Sequence, residues 1–163
     1  MGMQAFCKNK VKIQRVSVND NDVLVKISDN MRDIDVKECI GVGFHNQHQA
    51  LLESVNSSTN AYVVLYDDVP MGAFGINTKR DDLGCMIWFL GVKGLEKYKK
   101  QFLSISKNIL ELWQKEYGQL YNFVSAENEN CIKWLNWLGA VVHEAEKLSC
   151  TNEDFCLFIL GGE

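Results

Sequence analysis

Two short stretches of this chain carry residues whose types and spacing bear on chemistry. The first is Asn128-Glu129-Asn130-Cys131-Ile132-Lys133-Trp134-Leu135-Asn136-Trp137-Leu138-Gly139-Ala140. An asparagine at a strand-to-helix junction accepts a hydrogen bond from the first helical turn, and a glycine supplies the left-handed conformation that stops the helix. The second is Gly91-Val92-Lys93-Gly94. Backbone N–H groups of a glycine-bearing turn before a helix can cradle phosphate oxygens, although glycine is also the default residue of a tight turn with no ligand, which is the simpler reading. Lys93, Lys97, Lys99 and Lys100 crowd the helix start that follows, with only Glu96 to offset them. The helix dipole favours negative charge there, so either an anionic partner or a solvated lysine face accounts for the cluster.

Other candidates weigh less. His45 and His48 are three apart and fall on one helical face, but no third ligand accompanies them, and they read as polar surface residues rather than a metal site. His143 falls in a strand pattern and reads as structural. Trp88, Trp134 and Trp137 are most simply core or interface aromatics. The six cysteines, Cys7, Cys39, Cys85, Cys131, Cys150 and Cys156, show no zinc-type or redox-pair spacing and read as reduced thiols. The net charge is −4, with lysine far outnumbering arginine, which gives no strong positive field for nucleic acid or anionic membranes. No secretory leader pattern or spanning apolar run is present, so a bacterial cytoplasmic or viral-in-host location is expected. The 163 residues, 47% hydrophobic with one proline, suffice for a single core that needs no metal or disulfide staple.

Elements must hold these residues in place. Val11 to Val18 and Val23 to Ile27 are rich in β-branched residues on either side of Asn19-Asp20-Asn21-Asp22, which predicts two short strands and a turn. Asn30 is placed to cap a helix carrying Met31, Ile34, Cys39 and Ile40 up to Gly41 and Gly43. A second helix is expected from Gln47 to Val55. Ala61 to Tyr66 and Met71 to Ile76 suit strands joined through Asp67-Asp68-Val69-Pro70, and Gly84 to Leu90 suits another. Leu95, Tyr98, Phe102, Ile105, Ile109 and Leu112 recur at steps of three and four, predicting a long amphipathic helix ending near Gly118. Leu120 to Ala126 then reads as a strand, Asn128 to Leu138 as a helix, and Ala140 to His143 with Phe155 to Leu160 as a closing strand pair. This order predicts a mixed sheet with helices on both faces.

Residues Asn128 to Ala140 resemble the motif of the GNAT (Gcn5-related N-acetyltransferase) family: asparagine, two variable residues, a small residue, an aliphatic residue, then a helix ending in Leu-Gly before a strand. The resemblance continues through Asn30-Met31-Arg32-Asp33-Ile34-Asp35-Val36-Lys37-Glu38, Gly72-Ala73-Phe74-Gly75-Ile76 and Ile87-Trp88-Phe89-Leu90-Gly91. From about Val23 onward the chain looks like a phage-encoded GNAT-like family that includes internal virion, or morphogenesis, proteins of tailed phages. The resemblance implies an α/β (α+β) fold with a GNAT-like mixed, mostly antiparallel central sheet and helices on both faces. It implies one domain over residues 1–163, with 1–18 as an N-terminal extension or extra strand. It further implies that the strand before Asn128 splays from its neighbour and that the pantetheine arm of acetyl-CoA enters the gap. Carried onto this sequence, the cofactor-binding positions are Trp88, Leu90, Gly91, Lys93, Gly94 and Asn128, with no metal.

Two departures bear on activity. Active GNAT enzymes usually carry Arg/Gln-x-x-Gly-x-Gly/Ala between the central strand and the long helix, and Gly91 to Gly94 is shorter than that cradle. Many also place a tyrosine that protonates the leaving thiolate where this chain has Leu135, and an aliphatic side chain donates no proton. The expectation is therefore a viral GNAT-fold protein with a degenerate acetyl-CoA site, acting through protein contacts in virion morphogenesis or host interaction, in the host cytoplasm or with the virion. Its alternative is an active acetyl-CoA-dependent N-acetyltransferase acting on a protein or small-molecule amine. In that scheme water or a carboxylate such as Glu127 deprotonates the amine, and backbone groups near Trp88 hold the acetyl oxygen. A third reading, a binding module using Lys97, Lys99 and Lys100 as a basic patch for nucleic acid or a host protein, runs against the acidic net charge.

Overall fold

Alternation of buried Val11 and Ile13 with exposed Lys12 and Gln14 makes the first element a strand, β1 (Val11–Arg15), as period-two patterning requires. The computed structural model describes residues 10–162; Cys7 and residues 1–9 of the expected N-terminal extension lie outside the described residues. β1 pairs antiparallel with β2 (Asn60–Tyr66), which turns into β3 (Val69–Asp81). Asp67 and Asp68 both take positive φ, 51° and 64°, the backbone that a two-residue hairpin turn needs to match the twist of its strands. β3 pairs antiparallel with β4 (Gly84–Gly91). Beyond β4 come β5 (Leu120–Ser125) and β8 (Asp154–Leu160), with the short β6 (Val141–Val142) and β7 (Glu146–Lys147) both on β8. The sheet order is β1-β2-β3-β4-β5-β8-β6. Every pairing is antiparallel except β4 with β5.

Helices cover both faces, so the fold is the mixed, mostly antiparallel α/β architecture that the sequence predicts. On one face lie α1 (Asn21–Asp29), α2 (Asp33–Gly41) and α3 (Gln47–Ser57), whose Ile27, Cys39 and Leu51 pack with Val63, Ala73 and Leu90 of the sheet. On the other lie α4 (Lys99–Tyr117) and α5 (Glu129–Trp137), whose Ile109, Trp113 and Leu135 pack with Phe74, Ile76, Leu120 and Phe158. Gly94, at φ +94°, starts a tight 3-10 turn over Leu95–Tyr98 before α4 proper, and Gly118 ends the helix. Among the described residues no helix is long and apolar enough to cross a membrane.

Three local expectations are corrected. Val23 to Ile27 is not a strand but the middle of α1, burying Leu24, Ile27 and Ser28 at helical spacing. The Asn19 to Asp22 run starts that helix rather than a hairpin: Asp20 accepts the Ser17 N–H through its side chain at 2.7 Å and the Leu24 N–H through its carbonyl at 3.3 Å. β-branched composition is overridden because this sheet face needs a covering layer and the segment pairs with no strand. Asn30 does not cap α2 but closes α1, its side-chain amide donating to the Lys26 carbonyl at 2.8 Å.

Candidate functional site

β4 and β5 run parallel and pair only where Cys85 lies opposite Leu120 and Met86 opposite Tyr121; toward Gly91 and Ser125 the two strands part. Which backbone groups face the gap follows from the alternation of a strand. The Cys85 N–H donates to the Gln119 carbonyl at 2.9 Å, so the odd-numbered residues of β4 turn their N–H and C=O toward β5. At the base of the gap the Asn122 amide donates across it to the Ile87 carbonyl. At the open end the Gly91 N–H donates to Asp35 Oδ2 at 2.9 Å, and the Gly91 carbonyl accepts from the Arg32 N–H at 2.9 Å. Phe89 stands between, its backbone groups directed into the gap. Trp88 and Leu90, opposite Gly75 and Ala73, turn theirs to β3. The sequence reading did not single out Phe89; strand parity, counted from a known pairing, is the signal that finds it.

Two carboxylates from α2 reach opposite strands of this wedge. Asp35, 2% exposed, takes the Arg32 guanidinium in a bidentate pair, Nε at 2.7 Å and Nη2 at 3.0 Å, in addition to the Gly91 N–H. Arg32 is further held over the Phe89 ring, its guanidinium carbon 5.7 Å from the ring centre. Glu38, one helical turn on, accepts the Ser125 N–H of β5 at 3.0 Å and the Asn128 amide at 2.9 Å. Burial pushes the Glu38 carboxyl above its ordinary value, against the opposing effect of those two bonds. Asn128 also caps α5, its side-chain oxygen accepting the Cys131 N–H at 3.3 Å. One asparagine thus fixes both the helix start and the carboxylate that holds the end of β5.

Through the wedge runs a cavity of about 940 Å³, bounded by Cys39 and Ala50 on the α1–α3 face and by Phe102, Ile105 and Trp134 on the other. Its aromatic wall is continuous: Phe89 lies 4.9 Å from Phe102, and Phe102 5.7 Å from Trp134, between ring centres. The Trp134 indole N–H is buried and has no partner among the described residues. The Trp88 indole is anchored elsewhere, donating to Ser58 Oγ at 2.7 Å over Gly75.

Of the residues named from the sequence, Trp88, Leu90 and Asn128 line this cavity and Gly91 closes the strand beside it. Lys93 pairs with Asp33 at the surface, 3.4 Å away, and Gly94 faces open space. Glu127 is exposed, pairs with Lys37 and does not line the cavity. Leu135 also lines the cavity, although it is only 1% exposed and packs in the core under α5. Among the described residues no acidic side chain pairs with Lys97, Lys99 or Lys100. His48 bonds Ser28 Oγ at 2.7 Å while His45 engages Gln49 through its backbone, and no metal-binding group of three or more ligating side chains occurs among the described residues.

The connection after β4 has most of its backbone donors engaged within the chain. Gly91 N–H is taken by Asp35, Val92 N–H by the Met71 carbonyl at 3.1 Å, Lys93 N–H by the Asn30 carbonyl at 2.8 Å and Leu95 N–H by the Val92 carbonyl at 3.2 Å. These four N–H groups are bonded within the chain, while the Gly94 N–H of the same turn makes no such bond among the described residues.

Comparison with known proteins accords with this geometry. Residues 74–146 match a family model described as bacteriophage T7, probable scaffold protein Gp13. No curated protein matches the sequence. Among solved structures, an N-acetyltransferase from Staphylococcus aureus Mu50 is similar with a TM-score of 0.66 at 13% identity, over 94% of this chain and 98% of that one. A GNAT-family acetyltransferase from Bacillus anthracis gives 0.65 at 13% identity, over 95% and 96%. The ribosomal-protein-S18-alanine N-acetyltransferase of Escherichia coli gives 0.65 at 10% identity, over 93% of each chain. At these identities the likeness is one of fold: this chain has the GNAT fold, and it resembles the phage family over its central segment.

Proposed function

We propose that this protein is a phage GNAT-fold protein that works through protein contacts, in virion morphogenesis or in engaging a host protein, and that its acetyl-CoA site is degenerate. The observation that carries this reading is the commitment of the Gly91, Val92, Lys93 and Leu95 N–H groups to partners within the chain. The aliphatic Leu135, where a proton donor would be wanted, supports it, as does the match of residues 74–146 to a family described as a probable scaffold protein. The test is titration of the purified protein with acetyl-CoA and coenzyme A by calorimetry and thermal shift, since a ligand that binds only the folded state raises its melting temperature. No heat and no shift at millimolar ligand are expected. Micromolar binding would sink the degenerate-site reading.

A second reading is supported by the wedge itself, which leaves the Phe89 backbone groups facing a cavity of about 940 Å³. In that reading the chain is an N-acetyltransferase, its acceptor amine deprotonated by water or by Glu127. Acetylation of an amine panel, lost on Asn128→Ala and retained on Lys147→Ala, would favour it over the first.

A further inference from the structure

We infer that Asp35 is an internal anion: it occupies a latent anion-binding site formed by the Arg32 guanidinium and the Gly91 N–H, and so closes the end of the β4 wedge to phosphate-bearing ligands. The inference rests on the degenerate-site reading above and names the group responsible for it. Three observations carry it. The carboxylate is buried, yet among the described residues its hydrogen bonds all come from groups that would serve any oxyanion equally well, a forked guanidinium at 2.7 and 3.0 Å and a backbone N–H at 2.9 Å. Those groups also have holds besides it. The Arg32 backbone donates to the Gly91 carbonyl at 2.9 Å, its guanidinium lies over the Phe89 ring, and Gly91 has its place in the strand. Finally, Gly91 is tightly enclosed, since a Cβ there would stand 3.0 Å from Arg32 Nε and from the Leu95 and Phe89 side chains, which would have to give way. The glycine lets the guanidinium lie against the backbone, which is the arrangement an anion site requires.

Removing the carboxylate should therefore leave a charged fork and an unpaired N–H at the mouth of the cavity, able to take a phosphate group. The probe is inorganic pyrophosphate, titrated by calorimetry into the full chain as wild type, Asp35→Ala, and Asp35→Ala combined with Arg32→Ala. Wild type should show no binding at millimolar pyrophosphate. Asp35→Ala should gain affinity by about tenfold or more, the size expected when one charge-assisted contact is released to a ligand, and the double variant should lose the gain. A folded Asp35→Ala protein that binds no better than wild type overturns the inference, as does wild-type binding of equal strength. Should Asp35→Ala fail to fold, Asp35→Ser, which also withdraws the carboxylate from the fork while keeping a small polar group, should show the same gain. If that variant does not fold either, hydrogen exchange of the wild-type Gly91 amide decides: protection to the level of global unfolding is expected, and rapid exchange contradicts a bond to Asp35. Failure of the degenerate-site reading gives a different pattern, in which wild type binds acetyl-CoA whatever the Asp35 variants do with pyrophosphate.

Discussion

Glu38 shows how a single side chain couples this site to pH. Its carboxyl is raised in the folded protein, chiefly by burial. The stabilisation that it brings is complete below its unfolded value and fades as pH rises through its folded value, in the range just above an ordinary carboxylate. Asp81 acts in the opposite sense: the Tyr121 hydroxyl holds it low, so its contribution is lost as pH falls. Glu38→Gln, which keeps an acceptor for Ser125, should flatten the stability loss just above the ordinary carboxylate range and leave the acid limb unchanged, as read from urea midpoints across pH. Leu135 supports a second prediction. It is 1% exposed, so Leu135→Tyr should cost about 1–3 kcal/mol through overpacking, without producing acetyl transfer. A thermal melt with an acetyl-CoA assay checks both halves. Leu135 was singled out through the family resemblance, and its place on α5 followed from the helical pattern of Asn128 to Leu138. The roles of Asp35 and Glu38 were not legible in the sequence, because two carboxylates three apart on a helix look like ordinary surface charges until the tertiary fold lays that helix across the parted strands.

At the scale of elements, the α5 junction is the most exacting. Asn128→Ala removes the helix cap and one of the two donors to Glu38, and it should destabilise by about 1–2 kcal/mol. Hydrogen exchange should place the loss at residues 125–132 rather than across the whole sheet. The start of α4 predicts the reverse. Its first turn carries no acidic residue, so Lys99→Glu with Lys100→Glu should raise the urea midpoint by relieving the clash with the helix dipole. If those lysines serve a partner, the more stable variant should nonetheless bind that partner less well. Most elements could be read from the sequence, since α4 announces itself by its stripe and β2, β3 and β4 by their turns. α1 could not, because Val23, Val25 and Ile27 favour a strand in isolation and only the bare sheet face beneath them decides for a helix.

Over the whole molecule, the sheet separates two apolar cores, one holding Cys39 and the other Cys85 and Cys156. Both cores share β2, β3 and β4, so they should be lost together: in rising denaturant, alkylation of Cys39 and of Cys85 should share one midpoint, read by peptide mass spectrometry. Among the described cysteines of the native protein, the exposed Cys150 should react first. Burial pushes the Cys39 and Cys131 thiols up to about 12, which leaves almost no thiolate near neutral pH. The order of elements was enough to anticipate this layered architecture, whereas the cavity through it depends on where two strands cease to pair.

That parting has a mechanical consequence. Within the sheet the C-terminal strands pair with the rest through Cys85 opposite Leu120 and Met86 opposite Tyr121, and beyond those the two sides are held by side-chain bridges such as Asn122 to Ile87 and by the packing of the helices across them. Other neighbouring strands of comparable length zip along most of their span, as β5 does with β8 from Leu120 to Ser125. Under a load that drives the two halves of the chain apart, the β4–β5 junction is the seam along which the sheet tears, and β1 to β4 would come away from β5 to β8 as intact leaves.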